Sequence, residues 1–145
     1  MQAVEKIYNA LVRSQMLLSE SDDRFFEQYR LGKTRYYALL HIQQNPGISL
    51  SDLSKLLLCT KGNTTRIVKS LEQGGFIGRR ADPKDHRAQC LLLNEAGDKL
   101  LNDATRAYQT HKQSLFVCLD EEQADFLVEA LETLNAHCIA RLQPG

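Results

Sequence analysis

Apolar residues recur along this chain at helical spacing, then at strand-like spacing, then at helical spacing again. Up to Tyr29, Val4, Ile7, Leu11, Leu18 and Phe25 predict one long amphipathic helix. Gly32 interrupts it. A second helix is predicted from about Lys33 to Gln44, with Tyr36, Leu39 and Leu40 on one face and Asn45-Pro46-Gly47 as its stop. Ser49 is placed to cap a third helix, with Asp52 in a capping-box-like position and Leu53, Leu56 and Leu57 as the apolar face. Thr60 is placed to cap a fourth, Lys61 to Gln73, which Gly74-Gly75 can end. Two short runs follow, Phe76 to Arg80 and Ala88 to Leu93. The Asp82-Pro83-Lys84-Asp85 turn between them predicts a β-hairpin. Asn94 opens a fifth helix along Leu100, Leu101, Ala104, Tyr108 and Leu115. Asp120 with Gln123 opens a sixth, carrying Ala124, Leu127, Val128, Leu131, Leu134 and Cys138.

Helix, turn, helix, then a hairpin with a basic tip is the order of a winged helix-turn-helix, within a mainly α (α+β) chain. The 145 residues suggest one domain. Residues 33–93 form its lobe, and 1–30 and 94–143 supply long flanking helices. A small lobe cannot cover the apolar faces of the first, fifth and sixth helices, so a homodimer built on them is expected. Packing of these helices against one another within one chain is the alternative.

On a helical wheel of the fourth helix, Thr64, Ile67, Val68 and Leu71 fall together and must face inward. The opposite side holds Gly62, Thr65, Arg66, Lys69 and Gln73, with Asn63 at its border and Lys61 in the first turn. No carboxylate lies among them, and Glu72 is away from the centre of the face. Gly, Asn and Thr are poor helix formers, so stability alone does not explain them. A major groove does. Asn63 and Arg66 suit adenine and guanine edges, and Thr65 suits a phosphate or a thymine methyl. Lys61 and Lys69 suit phosphates, and Gly62 permits close backbone approach.

Charge sharpens this. The chain is formally neutral, but residues 55–90 hold eight cations against three anions. Beyond residue 117, six carboxylates stand against Arg141 alone. One region is therefore suited to phosphate and another to solvent or protein. In the hairpin, Arg79, Arg80, Lys84 and Arg87 cluster near the turn. Arg87 suits a narrow minor groove, and Asp85 is placed to orient it. His86, at the tip, suits solvent or phosphate.

Cys59, Cys90, Cys118 and Cys138 are widely spaced with no C-x-x-C pair, so free thiols are expected and no metal or other cofactor is called for. Cys59 and Cys90 are the two whose oxidation would disturb the basic region. No segment resembles a membrane span or a secretion signal, which predicts a cytoplasmic protein with no membrane partner. No nucleophile–base pair, phosphate loop or metal cluster points to an enzyme.

Asn63-Thr64-Thr65-Arg66-Ile67-Val68, Leu71-Glu72, Gly75-Phe76-Ile77, Arg80, Asp82-Pro83-x-Asp85-x-Arg87, Leu91-x-Leu93 and Gly97 together resemble the multiple-antibiotic-resistance-regulator (MarR) family of bacterial winged-helix transcription factors. The resemblance covers nearly the whole chain. It implies an obligate homodimer on double-stranded, palindromic DNA, the fourth helix in the major groove, and Arg87, supported by Asp85, in the minor groove. It implies a ligand-responsive regulator, expected here to be a repressor, controlled by small molecules, often anionic aromatics, or by oxidants. By analogy Phe25, Tyr29, Tyr36 and Tyr37 are candidate lining of an effector site, against their plain use in core or interface packing. Gly32 and Asn94 stand where the family usually has a capping Thr. No cysteine precedes Cys59, so the first-helix cysteine of the peroxide-sensing branch is missing. A winged-helix module that binds protein and not DNA is the competing reading.

Overall fold

The computed structural model describes residues 2–29, 31–84 and 89–144. Its elements run α1 (Gln2–Gln28), α2 (Lys33–Gln44), β1 (Ile48–Ser49), α3 (Leu50–Leu57), α4 (Lys61–Gln73), β2 (Ile77–Ala81), β3 (Gln89–Leu93), α5 (Glu95–Phe116) and α6 (Glu121–Leu142). The fold is mainly helical with one small antiparallel sheet, as expected.

Local chemistry sets most boundaries. The Ser49 hydroxyl accepts from Asp52 N at 3.0 Å, and that of Thr60 accepts from Asn63 N at 3.1 Å. Each satisfies an amide that a helix start leaves without a partner. Asn94 Oδ1 accepts from Gly97 N at 3.0 Å. Asp120 and Gln123 close a full capping box, at 2.8 and 3.1 Å. Gly32 begins α2 at φ 75° with no side-chain cap, a conformation that the Thr usual there would adopt only with strain.

The chain forms two compact units, Met1–Tyr108 and Gln109–Gly145. In the first, Phe26, Leu39, Ile42, Leu53, Val68, Leu71, Leu91 and Leu101 are the largest fully buried apolar side chains, and they join α1, α2, α3, α4, the sheet and α5. Thr64 is buried with them, its hydroxyl donating to Thr60 O at 3.0 Å, so the polar atom is not stranded. The sheet order is β1-β3-β2, with Ile48 opposite Leu91 and Arg79 opposite Leu91 on the other side.

Three local expectations change. A two-residue β1 precedes α3, docked by Gly47 N donating to Leu91 O at 3.0 Å. Leu56 is exposed, because Leu53 and Ser54 take the inward positions of α3. β2 begins at Ile77 and ends at Ala81, one residue later at each end than the hydrophobic pattern predicts.

Most of α1 is exposed. Val4, Ile7, Tyr8, Val12, Met16, Leu17 and Leu18 all face outward, and full burial begins only at Phe25. In the second unit no α6 residue is buried, and Phe126, Val128 and Ile139 stand exposed. Among the described residues no helix is long and apolar enough to cross a membrane.

Candidate nucleic-acid interface

The packed and open faces of α4 fall where the wheel puts them. Thr64, Val68 and Leu71 are buried and Ile67 is half-buried. Lys61, Gly62, Asn63, Arg66, Lys69 and Gln73 are exposed, while Thr65 is half-buried. The outward side chains are already organised. Arg66 Nη2 donates to Asn63 Oδ1, one turn back along the face. Asn63 keeps its amide N–H groups for an acceptor, and Arg66 keeps the rest of its fork, so the pair suits the edge of a base or two neighbouring bases. Thr65 Oγ1 donates to Lys61 O at 2.7 Å, which ties its hydroxyl to the helix. A Cβ on Gly62 would meet nothing closer than Thr60 Oγ1 at 3.9 Å, so packing within the protein does not require a glycine here.

The wing stands beside the α4 edge that carries Lys61 and Glu72. Only Ile77 of β2 is buried, and Gly78, Arg79, Arg80 and Ala81 are exposed. Asp82 Oδ1 accepts from Lys84 N at 2.8 Å, an Asx turn that bends the chain and leaves Lys84 outward. Asp85, His86 and Arg87 lie outside the described residues, so the expected Asp85–Arg87 pairing rests on the sequence. The structure adds an ion pair that the sequence did not reveal, between Arg79 and Glu72 at 2.7 Å.

On the far edge of α4, a cleft is lined by Thr34, Arg35, Cys59, Asn63, Arg66 and Ser70. It sets the half-buried Cys59 beside Asn63 and Arg66, with its thiol donating to Leu57 O at 3.4 Å. Cys90 is half-buried on β3.

The four candidate effector residues meet in one aromatic cluster. Phe25 packs on Tyr29 at 5.3 Å between ring centroids, and Tyr36 on Tyr37 at 5.3 Å. Two rings absent from the candidate set complete it, Phe26 and Tyr108. Phe25 and Tyr36 are buried, Tyr37 is half-buried and Tyr29 is at the exposed rim. The Tyr36 hydroxyl and Thr105 Oγ1 lie 3.0 Å apart. Burial first, then hydrogen bonds with Tyr37 and Asp22, push the Tyr108 phenol far above its ordinary range, so it stays neutral.

A small helix-turn-helix with a basic outward face and an adjoining β-wing defines the winged-helix class of DNA-binding lobes. The model of the MarR family matches residues 31–88. The chain is 31% identical over 99 residues to the HTH-type transcriptional regulator BilQ of Clostridium symbiosum, covering 68% of this chain and 69% of that one. It is 33% identical over 81 residues to BilQ of Clostridioides difficile, 56% of this chain but only about half (55%) of that relative's length. Among solved structures, the transcriptional repressor CouR bound to a 23-mer DNA duplex superposes with a TM-score of 0.75 at 26% identity, covering 87% of this chain and 89% of that one. The chain belongs to the MarR family of transcriptional regulators.

Proposed function

We propose that this protein is a cytoplasmic, homodimeric repressor that binds a palindromic operator in double-stranded DNA and releases it when a small molecule binds. The observation that carries this reading is the outward face of α4, where Lys61, Gly62, Asn63, Arg66 and Lys69 stand exposed with no carboxylate among them. Asn63 and Arg66 read base edges, and Thr65 offers its methyl to a thymine. Lys61 and Lys69 hold phosphates, and Gly62 lets the backbone come close. Lys84 takes a phosphate beside the minor groove, which Arg87 enters with Asp85 behind it. The likeness to a repressor seen on DNA supports this orientation. Binding of α4 and the wing where RNA polymerase must sit would repress.

The effector is an aromatic or anionic small molecule, and Phe25, Tyr29, Tyr36 and Tyr37 are where it binds. Tyr29 and Tyr37 supply the accessible rings, and Phe25 and Tyr36 the buried wall. Such a ligand acts by binding one spacing of the two reading helices better than the other.

The test is titration of the full chain against DNA selected from a random library, at several salt concentrations. Affinity should fall steeply as salt rises. Arg66→Ala should cost about 1–3 kcal/mol and relax preference at one base position. Lys69→Ala should instead weaken all sequences alike and reduce the salt slope by about one. Flat salt dependence, or no preference over random duplex, sinks the reading in favour of a protein-binding winged helix.

A further inference from the structure

We propose that Arg79 is a positioning residue that fastens the wing to the reading helix, through Glu72 of α4 and Gln89 of β3, and does not itself hold DNA. This rests on the DNA-binding reading above and names a part of its machinery.

Apolar packing fixes the wing only as far as Ile77 on β2 and Leu91 on β3. β2 is the edge strand of the sheet, and after Ile77 its four remaining residues are exposed. Beyond Cys90, where β1 stops pairing with β3, the ribbon has only two strands, and a two-stranded ribbon is marginal by itself. The reading helix and the wing can engage neighbouring grooves only if the angle between them is set in advance.

Arg79 supplies that constraint. Its Nε and Nη2 donate to the same Glu72 oxygen, at 2.8 and 2.7 Å, while Nη1 donates to Gln89 Oε1 at 3.1 Å. Leu91 is directly opposite Arg79 across the strands, and Gln89 is opposite Ala81, so the arginine reaches diagonally along one face of the ribbon. One planar group thus joins α4, β2 and β3, which a flexible lysine with a single charged tip would not do. Side chains alternate along a strand, so Arg80 points to the other face. Of two adjacent arginines, one is committed to the protein and the other is offered to phosphate. Glu72, the only carboxylate in α4, has the same explanation. An acid beside a DNA-binding face repels phosphate, and its retention is accounted for by the bond to Arg79.

The sign of one substitution separates this from ordinary electrostatics. The full chain, Glu72→Gln, Arg79→Gln, the double variant and Arg80→Gln are each titrated against the selected site and against random duplex, over a range of salt. If Arg79 is a fastener, Glu72→Gln weakens specific binding about three- to tenfold although it removes a negative charge. Binding to random duplex changes less than about twofold, because it needs no fixed angle. The double variant is no worse than either single one, since both break the same bond. Arg80→Gln lowers the salt slope and Arg79→Gln does not. The proposal is overturned if Glu72→Gln tightens specific and random binding together, if the two single effects multiply, or if both lose binding in proportion, as partial unfolding would produce. A wild-type chain that prefers no duplex overturns the DNA reading and the fastener with it. A wild-type chain that binds its site while Glu72→Gln binds equally well overturns the fastener alone.

Discussion

Replacing Gly97 with alanine is expected to destabilise the Met1–Tyr108 unit by about 3 kcal/mol or more and to lower the melting temperature by roughly 10 °C. The direction is opposite to the usual one. Gly-to-Ala changes inside a helix normally stabilise by up to about 1 kcal/mol, because alanine has less chain entropy to lose and better helix propensity. Here a Cβ on Gly97 would lie 2.1 Å from the carbonyl oxygen of Phe76, and that oxygen is backbone. It cannot rotate away as a side chain would. It is held by Asn94 N, which donates to it at 3.1 Å, while Asn94 Nδ2 donates to Gly75 O. The turn that ends α4 is therefore bolted to the first turn of α5, and Gly97 is the residue that lets them touch. Gly62 is the matched control in α4, where a new Cβ would meet nothing closer than Thr60 Oγ1 at 3.9 Å. Gly62→Ala should raise the melting temperature by a few degrees while weakening DNA binding, if the groove passes over that backbone. Thermal melts followed by circular dichroism decide both. A Gly97→Ala variant as stable as the wild type would show that the α4–β2 turn yields more readily than its hydrogen bonds indicate.

What was legible in the sequence was what short-range chemistry decides. Ser49, Thr60 and Asp120 cap helices because their oxygens reach amides three residues on, and that geometry needs no tertiary context. The two faces of α4 were legible because a thirteen-residue helix samples its whole circumference. Features set by distant partners were not. β1 is two residues long and exists only because Leu91 lies beside it. Nothing in Leu56-Leu57-Leu58-Cys59 marks where α3 ends, yet Leu58 takes a left-handed φ of 55° and is 93% exposed. The aromatic cluster shows the same limit. Nothing in the sequence places Tyr108 of α5 beside Phe25 and Tyr36, yet its ring packs on both. In the wing, the run of cations was visible while their partners were not, since Arg79 meets Glu72 of α4 and Gln89 of β3 only in the folded chain.

Ile7→Glu and, independently, Phe126→Glu are expected to give monomers that lose about 10²- to 10⁴-fold in operator affinity. Both side chains are more than half exposed in the single chain, at 58% and 73%. A charge there leaves the buried core untouched, so each variant should fold with a melting temperature set mainly by the lost association. The expectation rests on how much apolar surface each helix leaves open. In α1, Val4, Ile7, Tyr8, Val12, Met16 and Leu17 all face outward, and in α6 so do Phe126, Val128 and Ile139. Stripes of that length exceed what a monomer ordinarily exposes, and in the proposed homodimer a second copy of the chain would cover them by symmetry. Affinity then depends on linkage. In the proposed dimer the two copies of α4 would meet two half-sites about one helical turn apart, and the second contact would form within an already bound complex. A monomer keeps Arg66, Lys69 and its wing intact, so it should still recognise an isolated half-site. It contacts half the phosphates, and its salt slope should fall to about half that of the wild type. Sedimentation equilibrium gives the mass, and the slope distinguishes loss of a partner from loss of fold, which would abolish half-site recognition as well. A variant that stays dimeric and binds at full strength would remove that helix from the interface and leave the other to hold the dimer.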